Sequence, residues 1–265
     1  MLPDYITMNK DAWNKRTQAH INTAFYDTAG FLAGKNMLND IELQLLGDLK
    51  GKKVLHLQCH FGLDTLSLAR LGASVTGIDL SNEAIDKAKE LAEETKLDAR
   101  FICCNIYDLK NVLDDQFDIV FTSYGTIGWL PDLNRWADIV AHYIKPGGKF
   151  VFAEFHPFVW MWNDELTEIT YSYFNVAPIV ETQSGTYADK EAPITASYCT
   201  WNHPLQDVFS ALLNNGLVIS AFKEYDYSPY DCLGGLVKES EGIYRHHTMR
   251  DKMPMVYSLV ANKPE

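Results

Sequence analysis

The feature that most constrains this chain is the alternation of short apolar strands with amphipathic helices between residues 54 and 155. Val54-Leu55-His56-Leu57 reads as a strand. A helix carrying Leu66, Ala69 and Arg70 follows it and stops at Gly72, with Asp64 standing where a cap is expected. Val75-Thr76-Gly77-Ile78 is a second strand. Ser81 is placed to cap the next helix, with Glu83 in its first turn and Ile85, Ala88, Leu91 and Ala92 on its apolar face. Arg100 to Cys104 predicts a third strand. Phe117 to Thr122 predicts a fourth, with the unbroken apolar run of a buried parallel strand. From Asp132 onward, Leu133, Trp136, Ala137, Val140, Ala141 and Ile144 recur at the helical period. Pro146-Gly147-Gly148 is expected to end that helix before a fifth strand, Lys149 to Phe155. Strands joined by helices in this way imply a parallel sheet covered on both faces.

The flanking regions follow other patterns. Asn9 to Leu49 reads as helical pieces, with Trp13, His20 and Tyr26 as candidates to cover a site from above. Residues 156–202 are rich in Trp, Tyr, Phe and Thr without a helical period, which predicts an insertion of loops and short antiparallel strands. Alternation resumes at His203-Pro204, where proline suits a first helical turn. Leu217 to Phe222 and Met255 to Val260 are the last strands. With no long helix between them, they are expected to pair antiparallel. The predicted fold is therefore α/β: a doubly wound, seven-stranded, mostly parallel sheet with an antiparallel last strand and an aromatic-rich β insertion.

Charge and composition narrow the partners. A formal net charge of −12 lacks the electrostatic footprint of nucleic-acid binding and disfavours anionic membranes. No apolar run is long enough to span a bilayer. The opening Met1-Leu2-Pro3-Asp4-Tyr5 has no basic segment leading into an apolar one, so no secretory leader is expected. Five cysteines without framework spacing read as reduced thiols of a cytoplasmic protein, and the lack of a C-x-x-C pair removes the usual zinc signatures, so no metal is expected. A small-molecule partner fits best, with the chain a monomer or homodimer.

The loop after the first strand, His56-Leu57-Gln58-Cys59-His60-Phe61-Gly62, has a nucleotide-site outline but one glycine. A dinucleotide loop uses G-x-G-x-x-G so that backbone can approach a pyrophosphate. Here Gln58, His60 and Leu63 occupy those positions, which disfavours a nicotinamide-dependent oxidoreductase. Four segments in order resemble the class I S-adenosylmethionine-dependent methyltransferases: Val54–Gly62, Gly77-Ile78-Asp79-Leu80-Ser81, Cys104-Asn105-Ile106-Tyr107, and Leu130-Pro131-Asp132 through Gly148. "LHLQCHFG" itself resembles an uncharacterised branch of that family. The likeness covers residues 36–155 well and 201–262 more loosely.

The resemblance implies S-adenosylmethionine as cofactor and a single domain over residues 1–265. Its parts would be a helical cap (1–50), a cofactor-binding half (51–155), a substrate-side insertion (156–202) and a C-terminal helix with the last strands (203–265). Asp79 would accept hydrogen bonds from the ribose hydroxyls, since charge-assisted bonds are the stronger kind. Leu80 and Ile106 would flank the adenine and Asn105 would read its edge. His56, Gln58, Cys59, His60, Gly62, Ser123 and Tyr124 complete the candidate cofactor set. The family usually has an acid at position 56 and glycines at 58 and 60, so these positions mark a local departure.

The implied reaction is an in-line methyl transfer to nitrogen or oxygen of a small acceptor, in which the protein aligns the partners and excludes water. The acceptor would lie above strands four and five. His156 is the candidate base and Tyr124 a second catalytic candidate. Glu154, His156, Trp160 and Trp201 are candidate substrate contacts, and the insertion's aromatics suggest a lid, a pocket wall or a cage for a cation. A cofactor-binding protein without catalysis is the alternative.

Overall fold

The computed structural model describes residues 4–265; Met1, Leu2 and Pro3, part of the stretch read for a leader, lie outside the described residues. The N-terminal part is helical: α1 (Tyr5–His20), α2 (Thr28–Leu32) and α3 (Asp40–Leu46). The alternating region follows as β1 (Lys53–Leu57), α4 (Leu63–Arg70), β2 (Ser74–Asp79), α5 (Asn82–Thr95), β3 (Ala99–Cys103), β4 (Phe117–Ser123), α6 (Leu133–Tyr143) and β5 (Ile144–Phe155). The insertion contributes a hairpin of β6 (Ile179–Ser184) and β7 (Thr195–Thr200). The chain ends with α7 (Leu205–Asn214), β8 (Val218–Tyr225), a second hairpin of β9 (Leu236–Ser240) and β10 (Ile243–His246), and β11 (Val256–Asn262).

The main sheet has seven strands in the order β3-β2-β1-β4-β5-β11-β8. β11 enters between β5 and β8 and runs antiparallel to both, as the missing crossover helix predicts. The order reverses at β1, so the carboxyl ends of β1 and β4 diverge into a crevice, the usual place for a ligand in such sheets.

Local chemistry accounts for most element starts. Ser81 Oγ accepts from Ala84 N at 3.1 Å, so the predicted cap forms, and Asp132 Oδ1 accepts from Arg135 N at 3.0 Å, capping the helix expected to begin there. Asp64 is different. Gly62 (φ +80°) stands at the N-cap of α4, and Asp64 lies in the first turn with its carboxylate turned toward the crevice. The end of α6 also differs from expectation. The helix stops at Tyr143 and β5 begins at Ile144, so Pro146-Gly147-Gly148 forms an irregularity inside the strand rather than a linker before it.

Side-chain parity on β5 decides much about the site. Phe150 and Phe152 pack into the layer with Trp136, Tyr143 and Tyr257 under α6 and α7. Val151 joins Leu46, Val54 and Phe121 on the opposite face, while Ala153 and Phe155 pack with Ile41, Met255 and Val256. Burying both faces of a parallel sheet provides the main stabilisation, at about 25 cal/mol per Å² of apolar surface removed from water.

Candidate active site

A cavity of about 880 Å³ opens over the carboxyl ends of the strands. Its wall begins with the β1–α4 loop. Gln58 (φ +55°) and His60 (φ +51°) both adopt the left-handed backbone that usually selects glycine. The loop conformation is thus that of a glycine-rich turn, built with two side chains retained. Gln58 Nε2 donates to Thr126 O at 2.8 Å, which ties the loop to the segment after β4. His60 Nε2 lies 3.2 Å from His20 Nδ1, which ties it to the end of α1. Gly62 is needed twice over: its φ is positive, and a Cβ would come within 2.9 Å of Ala88 and Phe101.

Asp79 closes this corner. Its Oδ2 accepts from His60 N and its Oδ1 from Ser81 N, both at 2.8 Å. Each oxygen keeps a second acceptor direction. Burial pushes the carboxyl up to about 6, against the pull of those backbone donors. His56 lies behind the loop, with Nδ1 2.8 Å from Thr65 Oγ1, and burial drives it down to about 3, so it is neutral.

Asp64 lines the cavity, and a second acid, Glu42, is buried close to it. Glu42, fully buried on α3, accepts from Asn39 N at 2.8 Å and from the Tyr124 hydroxyl at 2.7 Å. Asp64 has one side-chain contact, a long 3.4 Å bond from Ser123 Oγ. Burial, reinforced by the charge of Glu42, pushes Asp64 up to about 7. Among the described residues no cation pairs with Asp64, Asp79 or Glu42.

The cover is assembled from distant segments. The inward face of α1 is polar, with Asn9, Arg16, Thr17 and His20 buried. Asn9 exchanges two 2.8 Å bonds with the backbone of Cys199, so its amide docks α1 onto β7. The Tyr26 and Tyr187 hydroxyls meet at 2.5 Å, joining the N-terminal helices to the insertion. The excursion between β8 and β11 closes the remaining side. Gly234 N donates to Asp164 O at 2.7 Å, and a Cβ on Gly234 would meet Glu165 Cα at 2.5 Å.

Comparison with known proteins gives this geometry its context. Residues 54–148 match the family described as "Methyltransferase domain". That stretch of the chain is similar to a methyltransferase domain. A ubiquinone biosynthesis O-methyltransferase of Coxiella burnetii is 36% identical over 132 residues, which is 49% of this chain and 56% of that enzyme. A Salmonella newport protein of the same name is 28% identical over 50% of this chain and 56% of its own length. The chain therefore spans about half the length of the curated relatives it matches. A putative S-adenosylmethionine-dependent methyltransferase from Listeria monocytogenes superposes with TM-score 0.58 at 21% identity, over 90% of this chain and all (100%) of that one. Magnesium protoporphyrin IX methyltransferase from Synechocystis PCC 6803, solved with bound SAH, gives TM-score 0.54 at 15% identity over 98% and 100% of the two chains. The fold is that of the class I methyltransferases.

Within this methyltransferase fold, His56, Gln58, Cys59, His60, Gly62, Asp79, Leu80, Asn105, Ile106, Ser123 and Tyr124 all line the cavity, as do Trp160 and Trp201. Asn105 Oδ1 accepts from Tyr107 N at 3.2 Å, which leaves its Nδ2 without a partner among the described residues. Two candidates do not reach the cavity. Glu154 is 1% exposed and accepts from the backbone of Gly125, Thr126, Ile127 and Phe155, so it organises the loop after β4 instead of touching a ligand. His156 is buried with Nδ1 accepting from Phe158 N at 3.1 Å and Nε2 3.0 Å from Glu224, on the Tyr257 side of β5. That removes it as the candidate base. The intervening Phe155 is the β5 residue that lines the cavity, as strand alternation requires.

The aromatic-cage expectation also changes form. The rings of Trp13, Trp129 and Tyr198 surround a guanidinium of the protein itself, Arg16. Sequence reasoning missed Arg16, Asp64 and Tyr230 as cavity groups, and Glu42 as the buried acid close to Asp64. The spacing Asn9, Trp13, Arg16, Thr17, His20 was the available signal, because a polar stripe at helical period marks a helix facing a site rather than a core.

Proposed function

We propose that this chain is a cytoplasmic S-adenosylmethionine-dependent methyltransferase that modifies nitrogen or oxygen of a small molecule, with residues 1–265 acting as one domain. The observation that carries the reading is Asp79, fixed at the carboxyl end of β2 by two backbone donors beside a left-handed loop, on the wall of a covered cavity. Bound there, S-adenosylmethionine supplies a methyl group already activated on a sulfonium.

The residues present fit such a group. The free acceptor directions of Asp79 suit a vicinal diol. Leu80 and Ile106 offer apolar faces for a base, and the unpartnered Nδ2 of Asn105 offers a donor for its edge. Asp64 and Glu42 give the cavity a field that favours a cationic ligand. At about 880 Å³ the cavity has room for a nucleoside and a small acceptor together. The lid of α1 and the β6–β7 hairpin excludes water, which strengthens every electrostatic contact inside. The Tyr124 hydroxyl is already donated to Glu42, so Tyr124 does not act as a free acid.

Calorimetric titration with S-adenosylhomocysteine and NADH tests the proposal. Binding of the first and not the second is expected; the reverse result would refute it. A screen of methyl acceptors with the loaded protein then separates an enzyme from a binding protein.

A further inference from the structure

Arg16 sits in the fourth turn of α1, 4% exposed, and lines the cavity. Its guanidinium carbon lies 4.5 Å from the ring centroid of Tyr198, 5.1 Å from that of Trp129 and 5.3 Å from that of Trp13. The ring faces attract the charge but satisfy few of its N–H groups. Its one side-chain bond is a long one, from Nη2 to Gln183 Oε1 at 3.4 Å. Nη1 is buried with no partner, and no carboxylate pairs with the group among the described residues. Gln183 in turn donates to Asp164 Oδ2 at 3.1 Å, so the nearest carboxylate is reached only through an amide, and a buried cation with an unfilled donor and no direct ion pair is costly unless a ligand supplies the anion. The neighbours that hold it come from the loop after β4 and from the insertion hairpin, whereas Asp79, Leu80, Asn105 and Ile106 come from the β2 and β3 ends of the sheet.

We propose that Arg16 is a carboxylate receptor, the contribution of the lid to ligand recognition. The planar fork suits a carboxylate. Such a carboxylate has two sources, the amino-acid end of the methyl donor or the acceptor. The inference rests on the methyltransferase reading and deepens it.

The test uses the wild type, Arg16→Gln and Arg16→Lys. S-adenosylhomocysteine and 5′-methylthioadenosine, which lacks the amino-acid end, are titrated into each. Protein saturated with S-adenosylhomocysteine is then probed by thermal shift with 4-hydroxybenzoate, phenylacetate and succinate, each against its methyl ester. A tenfold or larger loss of S-adenosylhomocysteine affinity in Arg16→Gln, with methylthioadenosine unchanged, places the carboxylate on the donor. Unchanged S-adenosylhomocysteine affinity, with a wild-type preference for free acids that disappears in Arg16→Gln, places it on the acceptor. Arg16→Lys should retain part of either effect, because it keeps the charge and loses the fork. Equal weakening of both nucleosides would mean lid disruption and overturns the proposal. So does a Gln variant that matches the wild type in every arm. A wild type that binds neither nucleoside overturns the methyltransferase reading, and this one with it.

Discussion

Replacing Gln58 and His60 by glycine, one at a time, separates what the loop backbone needs from what its side chains do. Both residues hold a left-handed backbone, which costs an L-residue about 1–2 kcal/mol. Glycine removes that cost but returns about 0.5–1 kcal/mol through the freedom it adds to the unfolded chain. The backbone terms therefore nearly cancel, and the side chains decide the outcome. Gln58 contributes one hydrogen bond, worth about 1 kcal/mol, and carries a buried Oε1 with no partner, whose removal offsets a similar amount. Gln58→Gly should stay within about 1 kcal/mol of wild type. The His60 ring packs on Phe61, Trp13, Tyr26 and His20 at centroid separations of 4.4, 5.1, 5.3 and 5.4 Å. Losing half-buried ring surface, those edge contacts and the bond to His20 should make His60→Gly less stable by about 2–3 kcal/mol. Urea denaturation followed by tryptophan fluorescence reads both differences through the midpoint at constant slope. Equal losses, or a larger loss for Gln58→Gly, would refute the assignment of His60 as the link between loop and lid.

Further outcomes follow from the same geometry. Asp79→Asn should weaken S-adenosylhomocysteine binding by about 1–3 kcal/mol, since an amide must also turn one N–H toward the donor of His60 or Ser81; unchanged affinity in calorimetry would defeat the ribose assignment. Gly62→Ala should destabilise by about 2 kcal/mol or more in the same urea assay, because it meets both a positive φ and two contacts of 2.9 Å. Asp64 and Asp79 titrate near 7 and 6 when folded, above the ordinary 3.8, so the stability they contribute is present below about pH 4 and is lost as pH rises through 6–7. Asp64→Asn should therefore be more stable than wild type at pH 8, by about 1–4 kcal/mol in urea denaturation, and the gap should shrink toward pH 5; a variant less stable at pH 8 would contradict the uncompensated charge. His156→Gln should lower the melting temperature and leave kcat/KM of the folded enzyme unchanged once an acceptor is found; a fall in kcat with a shifted pH profile would return His156 to the chemistry.

Much of the fold was legible because its determinants are local. The strand–helix period from Val54 to Phe155, the caps at Ser81 and Asp132 and the acid at the end of β2 are patterns within a few residues of one another. The left-handed turn at residues 58–62 was hidden, because Gln58 and His60 carry no glycine signal and the surrounding bonds from Asp79, Thr126 and His20 hold them there. The β9–β10 excursion was hidden for a similar reason, since its Gly234 is required by a close approach to Glu165, far away in sequence.

Sequence by itself determined the order of the strands and helices that build the main sheet, the crossover that makes the sheet parallel, and the corner where Asp79 meets the first loop. These depend on periodicity and on short-range caps. Only the tertiary structure decided which side chains face the cavity. β5 is buried on both faces, so its apolar run does not reveal which parity points toward the site. One residue of phase sends Phe155 into the cavity and commits Glu154 and His156 elsewhere. Arg16 waited on the same kind of decision: a loop and a hairpin, each more than a hundred residues from the helix in sequence, had to meet it before a lone arginine became a buried charge among three rings.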